Sequence, residues 1–291
     1  MSFRTLTFLL GARSPDIVES ACESAGALSV SFADAQDEPV LEPAPGELRL
    51  WRVTEVQALF AADAAVAAAK ELLARELQLS PQEIADRVLE DRIWEREWLK
   101  DFHAQRFGRR LWVCPRHESV ADASAAVVQL DPGLAFGTGH HPSTALCLEW
   151  LDAEVCGGES VIDYGCGSGI LAIAALKLGC ARAACFDIDP QALLATAQNA
   201  AANGLAQRLS VHADADRLPE SDLVLANILS QPLISLAPRL AGLTLQRGRI
   251  VLAGLMTAER EDVTAAYLPW FDMELSATRD GWICLAGTRR D

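Results

Sequence analysis

The chain has 291 residues, enough for two compact domains, of which 51% are hydrophobic and 22% charged. That composition belongs to an ordinary folded protein and excludes a largely disordered or collagen-like chain. With 25 basic and 40 acidic residues the formal net charge is −15. Such a charge opposes tight binding to a phosphate backbone and steers a basic partner inward.

In chain order, residues 3–10 alternate like a strand. Ser14-Pro15-Asp16 reads as a helix start with Ser14 at the N-cap, the helix ending at Gly26. Residues 28–32 read as a second strand and 34–46, with acids, prolines and a glycine, as a loop. Residues 48–56 read as a third strand, 60–77 as an alanine-rich helix and 84–89 as a last strand. The order β-α-β-β-α-β predicts a small ferredoxin-like α+β domain over residues 1–89. Residues 90–102 carry Trp94 and Trp98 on one helical face and are expected to be a linker helix. The N-terminal apolar run is too short and interrupted for a signal peptide, and no stretch has membrane length. Eight cysteines form no C-x-x-C pair and no zinc spacing with histidine, which fits buried thiols of a cytoplasmic protein.

The pattern then changes, over an expected second domain at 103–291. Strand-like runs (160–163, 183–186, 209–212, 223–226, 248–253) alternate with helical ones (169–178, 191–202, 229–240). This predicts a doubly wound, Rossmann-like α/β sheet. Residues 270–278 and 281–287 read as two strands joined through Asp280-Gly281, a tight-turn pair. A terminal antiparallel hairpin departs from the dinucleotide-binding arrangement.

The stretch "SVIDYGCGSGIL", residues 160–171, is a strand–turn–helix whose turn is built to hold a nucleotide. Gly167 to Ala172 satisfies G-x-G-x-x-A, so a dinucleotide fingerprint is one legal parse. Charge favours another. A pyrophosphate brings two negative charges, whereas this turn is preceded by Asp163 and followed by Asp187, with Lys177 the nearest cation downstream. S-adenosylmethionine, with a sulfonium and no phosphate, suits an acidic strand end. Gly165, Gly167 and Gly169 let its methionine part approach the backbone, and Asp187 can accept both ribose hydroxyls.

Two further segments add weight. "LDPGLAFGTGHHPST", residues 130–144, is a glycine-rich loop placed to fold over a cofactor, with His140, His141 and then Thr144 opening a helix. The histidine pair lacks a third ligand cluster, so no metal is expected. "LVLANIL", residues 223–229, puts Asn227 just past a buried strand, where open α/β sheets bind ligands. There Asn227 either caps the next helix or holds a reacting amine.

These segments in this order and spacing, with "FDIDPQAL" and "WEREWLKDFHAQRFGRRLWVCP", resemble the bacterial ribosomal protein L11 methyltransferases, class I S-adenosylmethionine-dependent enzymes. The resemblance implies cofactor contacts at Thr144, Gly165, Asp187 and Asn227. It implies a substrate-recognition role for residues 1–89 and methylation of lysine side chains and an α-amine on one large-subunit ribosomal protein. His140 stands where the family commonly has threonine. Among catalytic groups, Asn227 is expected to aim the amine, and His140 or His141 to take its proton. Nothing demands more than a monomer, and no direct nucleic-acid or membrane partner is expected.

Other readings are an RNA methyltransferase, whose added domain should be basic, and an NAD-dependent reductase, disfavoured by the acidic turn. A non-catalytic S-adenosylmethionine sensor would leave Asn227 idle.

Overall fold

The computed structural model describes residues 3–36, 50–89, 103–130 and 139–291. The expected linker helix at 90–102, most of the loop at 34–46 and residues 131–138 of the glycine-rich loop lie outside the described residues. The chain divides into two compact units, Met1–Trp94 and Glu95–Asp291.

In the first unit, β1 (Phe3–Leu9), α1 (Pro15–Ser24), β2 (Ser29–Asp34), β3 (Thr54–Ala61), α2 (Val66–Glu76) and β4 (Ala85–Leu89) follow one another. The sheet order is β2-β3-β1-β4 with every pair antiparallel, the ferredoxin-like arrangement. Leu6, Phe8, Val56, Ala58 and Phe60 on the sheet and Val18, Cys22, Val66 and Leu73 on the helices make its core. The third strand runs later than its sequence pattern suggests. Thr54, Val56, Ala58 and Phe60 are the inward positions, and α2 begins only at Val66. Residues 60 and 61, expected in the helix, complete the strand because Phe60 fills the core at 0% exposure. Ser14 occupies the N-cap of α1, but its side chain makes no capping hydrogen bond.

The second unit opens with a small sheet of β5 (Gln105–Phe107), β6 (Leu111–Cys114) and β7 (Ala126–Gln129). Its turn is organised by Asp152, 6% exposed, whose carboxylate accepts from the backbone N–H groups of Arg109, Arg110 and Leu111. Then come α3 (Pro142–Glu154), β8 (Ser160–Tyr164), α4 (Ile170–Leu178), β9 (Arg182–Phe186), α5 (Pro190–Ala202) and β10 (Leu209–His212). They are followed by β11 (Ser221–Asn227), α6 (Ser230–Leu243), β12 (Thr244–Met256), α7 (Arg260–Tyr267), β13 (Phe271–Arg279) and β14 (Trp282–Arg289).

The large sheet runs β10-β9-β8-β11-β12-β14-β13. β10 through β12 are parallel, and β14 is antiparallel to both its neighbours. The hairpin joining β13 and β14 has Asp280 at φ 51° and Gly281 at φ 82°, the pair of positive values that a two-residue turn of matching twist requires. One face of the sheet packs on α3 and α4, the other on α6 and α7. Of the eight cysteines Cys156, just before β8, is exposed and the other seven are buried.

Candidate functional site

β8 has β9 on one side and β11 on the other, so the connections leaving β8 and β11 diverge. A crevice opens at the carboxyl ends of those two strands, the place where open α/β sheets bind ligands. The glycine turn follows β8 and Asn227 ends β11, so both reach this crevice.

The turn is left-handed at Gly165, Gly167 and Gly169, with φ of 79°, 52° and 77°. A side chain at Gly165 would run into the Cγ2 of Ile228 from the next strand's turn, and one at Gly169 would lie 2.8 Å from Thr196 Cγ2. The bare backbone therefore both permits the conformation and lets Ile228 and Thr196 pack directly against the turn. Hydrogen bonds pin the turn. The N–H groups of Gly165 and Cys166 donate to the Phe186 carbonyl at 2.8 and 3.0 Å. Thr196 Oγ1 donates to the Gly167 carbonyl at 3.0 Å, and Asn199 Nδ2 to the Ser168 carbonyl at 2.9 Å.

Asp187 follows β9 and is half-buried. Its Oδ2 accepts from Gly167 N–H at 2.9 Å and its Oδ1 from Asp189 N–H at 3.0 Å. Two of the roughly four lone-pair positions of a carboxylate are thus used to fix its direction, leaving the others for ligand hydroxyls. Beside it Ile188 is 91% exposed. A large apolar side chain left in water next to such an acid is available for apolar contact with a ligand. Sequence reasoning missed it, since a single isoleucine in an acidic stretch gives no periodic signal.

Asp163 lies inside the turn at 1% exposure, and its Oδ2 accepts from Ala172 N–H at 3.0 Å. Burial pushes its carboxyl up to about 7, the Ala172 N–H working against that and Asp187 adding to it. It braces α4 against β8. Lys177 donates to the Asn203 carbonyl at 3.1 Å from the last turn of α4, away from the glycines. The cradle therefore pairs an uncluttered backbone with carboxylates, which fits a nucleoside bearing positive charge better than a pyrophosphate.

On the other wall, Asn227 Nδ2 donates to Thr144 Oγ1 at 3.2 Å. The helix after it, α6, has Leu229 at its N-cap and no side-chain cap, so Asn227 is not spent on capping. Thr144 is 2% exposed in the first turn of α3. That helix is capped by His141, whose Nδ1 accepts from Ser143 N–H at 3.3 Å. Burial lowers the pKa of His141 and keeps its ring neutral near pH 7. The Trp282 ring meets it edge-on at 4.5 Å between centroids. Trp282 stands opposite Met256 in the β12–β14 register, giving this wall an aromatic and a thioether side chain. It too went unnoticed in the sequence, because only the hairpin pairing brings position 282 to His141. His140 is exposed. Thr144, Gly165, Gly167, Gly169, Asp187 and Asn227 are thus gathered at one crevice, with Asp163 beneath it and His141 at its rim. Among the described residues no group of three or more His, Cys, Asp or Glu could hold a metal ion.

The sequence model of one family, ribosomal protein L11 methyltransferase (PrmA), matches residues 3–290. The chain belongs to this family. A ribosomal protein L11 methyltransferase of Hahella chejuensis is 47% identical over 291 residues, spanning 99% of both chains. One from Actinobacillus pleuropneumoniae serotype 3 is 47% identical over 272 residues, 92% of each. The crystal structure of a ribosomal protein L11 methylase from Lactobacillus delbrueckii subsp. bulgaricus superposes with a TM-score of 0.61 at 31% identity. It matches 65% of this chain and 100% of its own. As a member of the L11 methyltransferase family the chain is an S-adenosylmethionine-dependent enzyme, and the glycine cradle with Asp187 fits that cofactor.

Proposed function

We propose that this enzyme transfers methyl groups to amines of ribosomal protein L11, lysine side chains and the α-amine, using the crevice between β8 and β11. The observation that carries this reading is Asn227. It ends a buried strand at the switch point, is held by Thr144 on the same wall of the crevice, and caps no helix.

When bound, S-adenosylmethionine supplies an electrophilic methyl group on a sulfonium. Gly165, Gly167 and Gly169 admit its amino-acid part, Asp187 takes the ribose hydroxyls, and Thr144 and Asn227 close the opposite side. Burial keeps Asp163 partly protonated near pH 7, so it adds only part of a negative charge beneath the turn. A lysine amine of pKa near 10.4 is about 99.9% protonated at pH 7.4, so the site must favour the neutral form. Asn227 accepts an N–H bond from the amine and aims its lone pair, the positioning that gives most of the rate in an in-line displacement. The departing proton goes to His140 or His141; in the neutral His141 ring Nδ1 is the acceptor nitrogen, so the proton enters there only by displacing the Ser143 N–H.

Residues 1–89 form the substrate-recognition domain in this reading, 90–102 the linker and 103–291 the methyltransferase domain. The excess of acids suits a basic ribosomal protein and disfavours direct contact with RNA. The enzyme works in the cytoplasm as a monomer. Incubation of unmethylated L11 with the enzyme and S-adenosylmethionine, read by intact mass, tests the proposal. Mass increments of one or more methyl groups are expected, and Asn227→Ala should abolish them while leaving the fold intact. No increment with the native enzyme would overturn the substrate, and full turnover by Asn227→Ala would remove that residue from the mechanism.

A further inference from the structure

The turn that carries Asn227 is gripped by residues to which the reading above gives no part. Gly254, in β12, has φ 83° and lies directly beneath it. A Cβ at that position would stand 2.5 Å from the Ile228 carbonyl oxygen and 3.0 Å from Asn227 Oδ1. The turn thus rests on bare backbone, with no side chain to buffer its position. Just beyond, Glu259 reaches back. One carboxylate oxygen accepts from the Met256 N–H at 2.7 Å and the other from the Ser230 hydroxyl. Ser230 is the first residue of α6, three after Asn227, and is 7% exposed. Met256 ends β12 opposite Trp282, and the adjoining Thr257 donates through both N–H and Oγ1 to the Gly281 carbonyl at 3.0 Å.

A carboxylate at the third residue of a helical turn can reach back to cap the preceding N–H, and Glu259 does that for the single turn at Thr257–Glu259. The Ser230 contact lies 29 residues away in sequence and serves no cap. It joins the start of α6 to the end of β12, closing a loop around Asn227, Ile228 and Leu229.

We infer that Glu259 is a positioning residue for methyl transfer: its clasp on Ser230 and Met256 fixes the turn that presents the Asn227 amide. This rests on Asn227 as the group that aims the amine. Each Glu259 oxygen accepts from a protein donor at the turn, so its part in methyl transfer runs through Asn227 and not through the reacting atoms. Its effect is therefore mainly on the rate of the oriented complex, since most of the cofactor cradle, the glycine turn and Asp187, lies away from this clasp.

The test uses full-length enzyme, unmethylated L11 and three variants, Glu259→Gln, Ser230→Ala and Ser230→Thr. Glu259→Gln keeps the shape but removes the charge and one acceptor oxygen, so the Ser230 contact survives only as a weaker bond of reversed direction. Glu259→Gln and Ser230→Ala should each lower kcat roughly ten- to a hundred-fold, the scale of a small misplacement of reacting groups. The dissociation constant for S-adenosylmethionine, by calorimetry, should stay within about two-fold. Ser230→Thr, which keeps the hydroxyl, should restore most of kcat, and the double variant Glu259→Gln/Ser230→Ala should be no slower than the slower single. Native kcat in both singles, with Asn227→Ala inactive, overturns the clasp alone. A proportional fall in kcat, cofactor affinity and melting temperature also overturns it, since that is loss of fold. Native turnover by Asn227→Ala overturns the reading beneath it.

Discussion

Replacing Asp163 by Asn changes one buried charge and little else. The side chain is 1% exposed, so water does not screen it, and its single backbone donor, Ala172 N–H, bonds equally well to an amide oxygen. Burial raises the carboxyl from 3.8 to about 7 in the folded chain. The folded protein therefore holds a proton that the unfolded chain releases near pH 4, and stability contributed by this group falls as pH rises from about 4 to about 7. Above pH 7 the folded chain carries the anion at full cost. A displacement of about three pH units corresponds to roughly 4 kcal/mol. Urea unfolding of wild type and Asp163→Asn at half-unit steps from pH 4.5 to 8, extrapolated to water, isolates this group because every other titration is common to both. The two proteins should be close in stability at pH 4.5, and the variant should be ahead by about 3–4 kcal/mol at pH 8. Parallel curves across that range would refute a buried, protonatable Asp163.

Other expectations follow from the same geometry. Asp187→Ala should weaken S-adenosylmethionine binding by about 1–3 kcal/mol, measured by calorimetry, with the L11 interaction unchanged. Gly165→Ala puts a side chain at φ 79° against Ile228 and should cost about 2–4 kcal/mol of stability, read as a lower urea midpoint at constant slope. His141→Ala removes the cap of α3 and should lower stability by about 1 kcal/mol, which a thermal scan detects.

The second unit was largely legible because its strands are short apolar runs bounded by turn residues, and the two left-handed residues Asp280 and Gly281 announce their hairpin. The first unit was legible in element order but not in phase. The segment from Leu48 to Phe60 offers apolar residues on both parities, and only burial of Phe60 against the helices selects one. An alanine-rich run predicts a helix wherever it starts, yet cannot say that residues 60 and 61 belong to the sheet. β5, β6, β7 and α7 were missed because three- and four-residue strands and a charged eight-residue helix leave no periodic trace. At the site, the glycines, Asp187, Asn227 and Thr144 announce themselves by residue type and place in the chain. Ile188, Trp282, Gly254 and Glu259 do not, since each matters through a partner far away in sequence or through exposure alone.

The uneven fate of the cysteines has a practical side. Cys156 precedes β8, at the end of the sheet opposite the glycine turn, and is the one exposed thiol of the eight. Burial holds Cys22 and Cys180 well above the ordinary thiol range, at about 11 and about 12, so they stay unreactive at neutral pH. A maleimide dye should therefore attach at one address without mutagenesis. It would sit on the blunt end of the catalytic sheet, where a fluorophore can report on docking while leaving the crevice open.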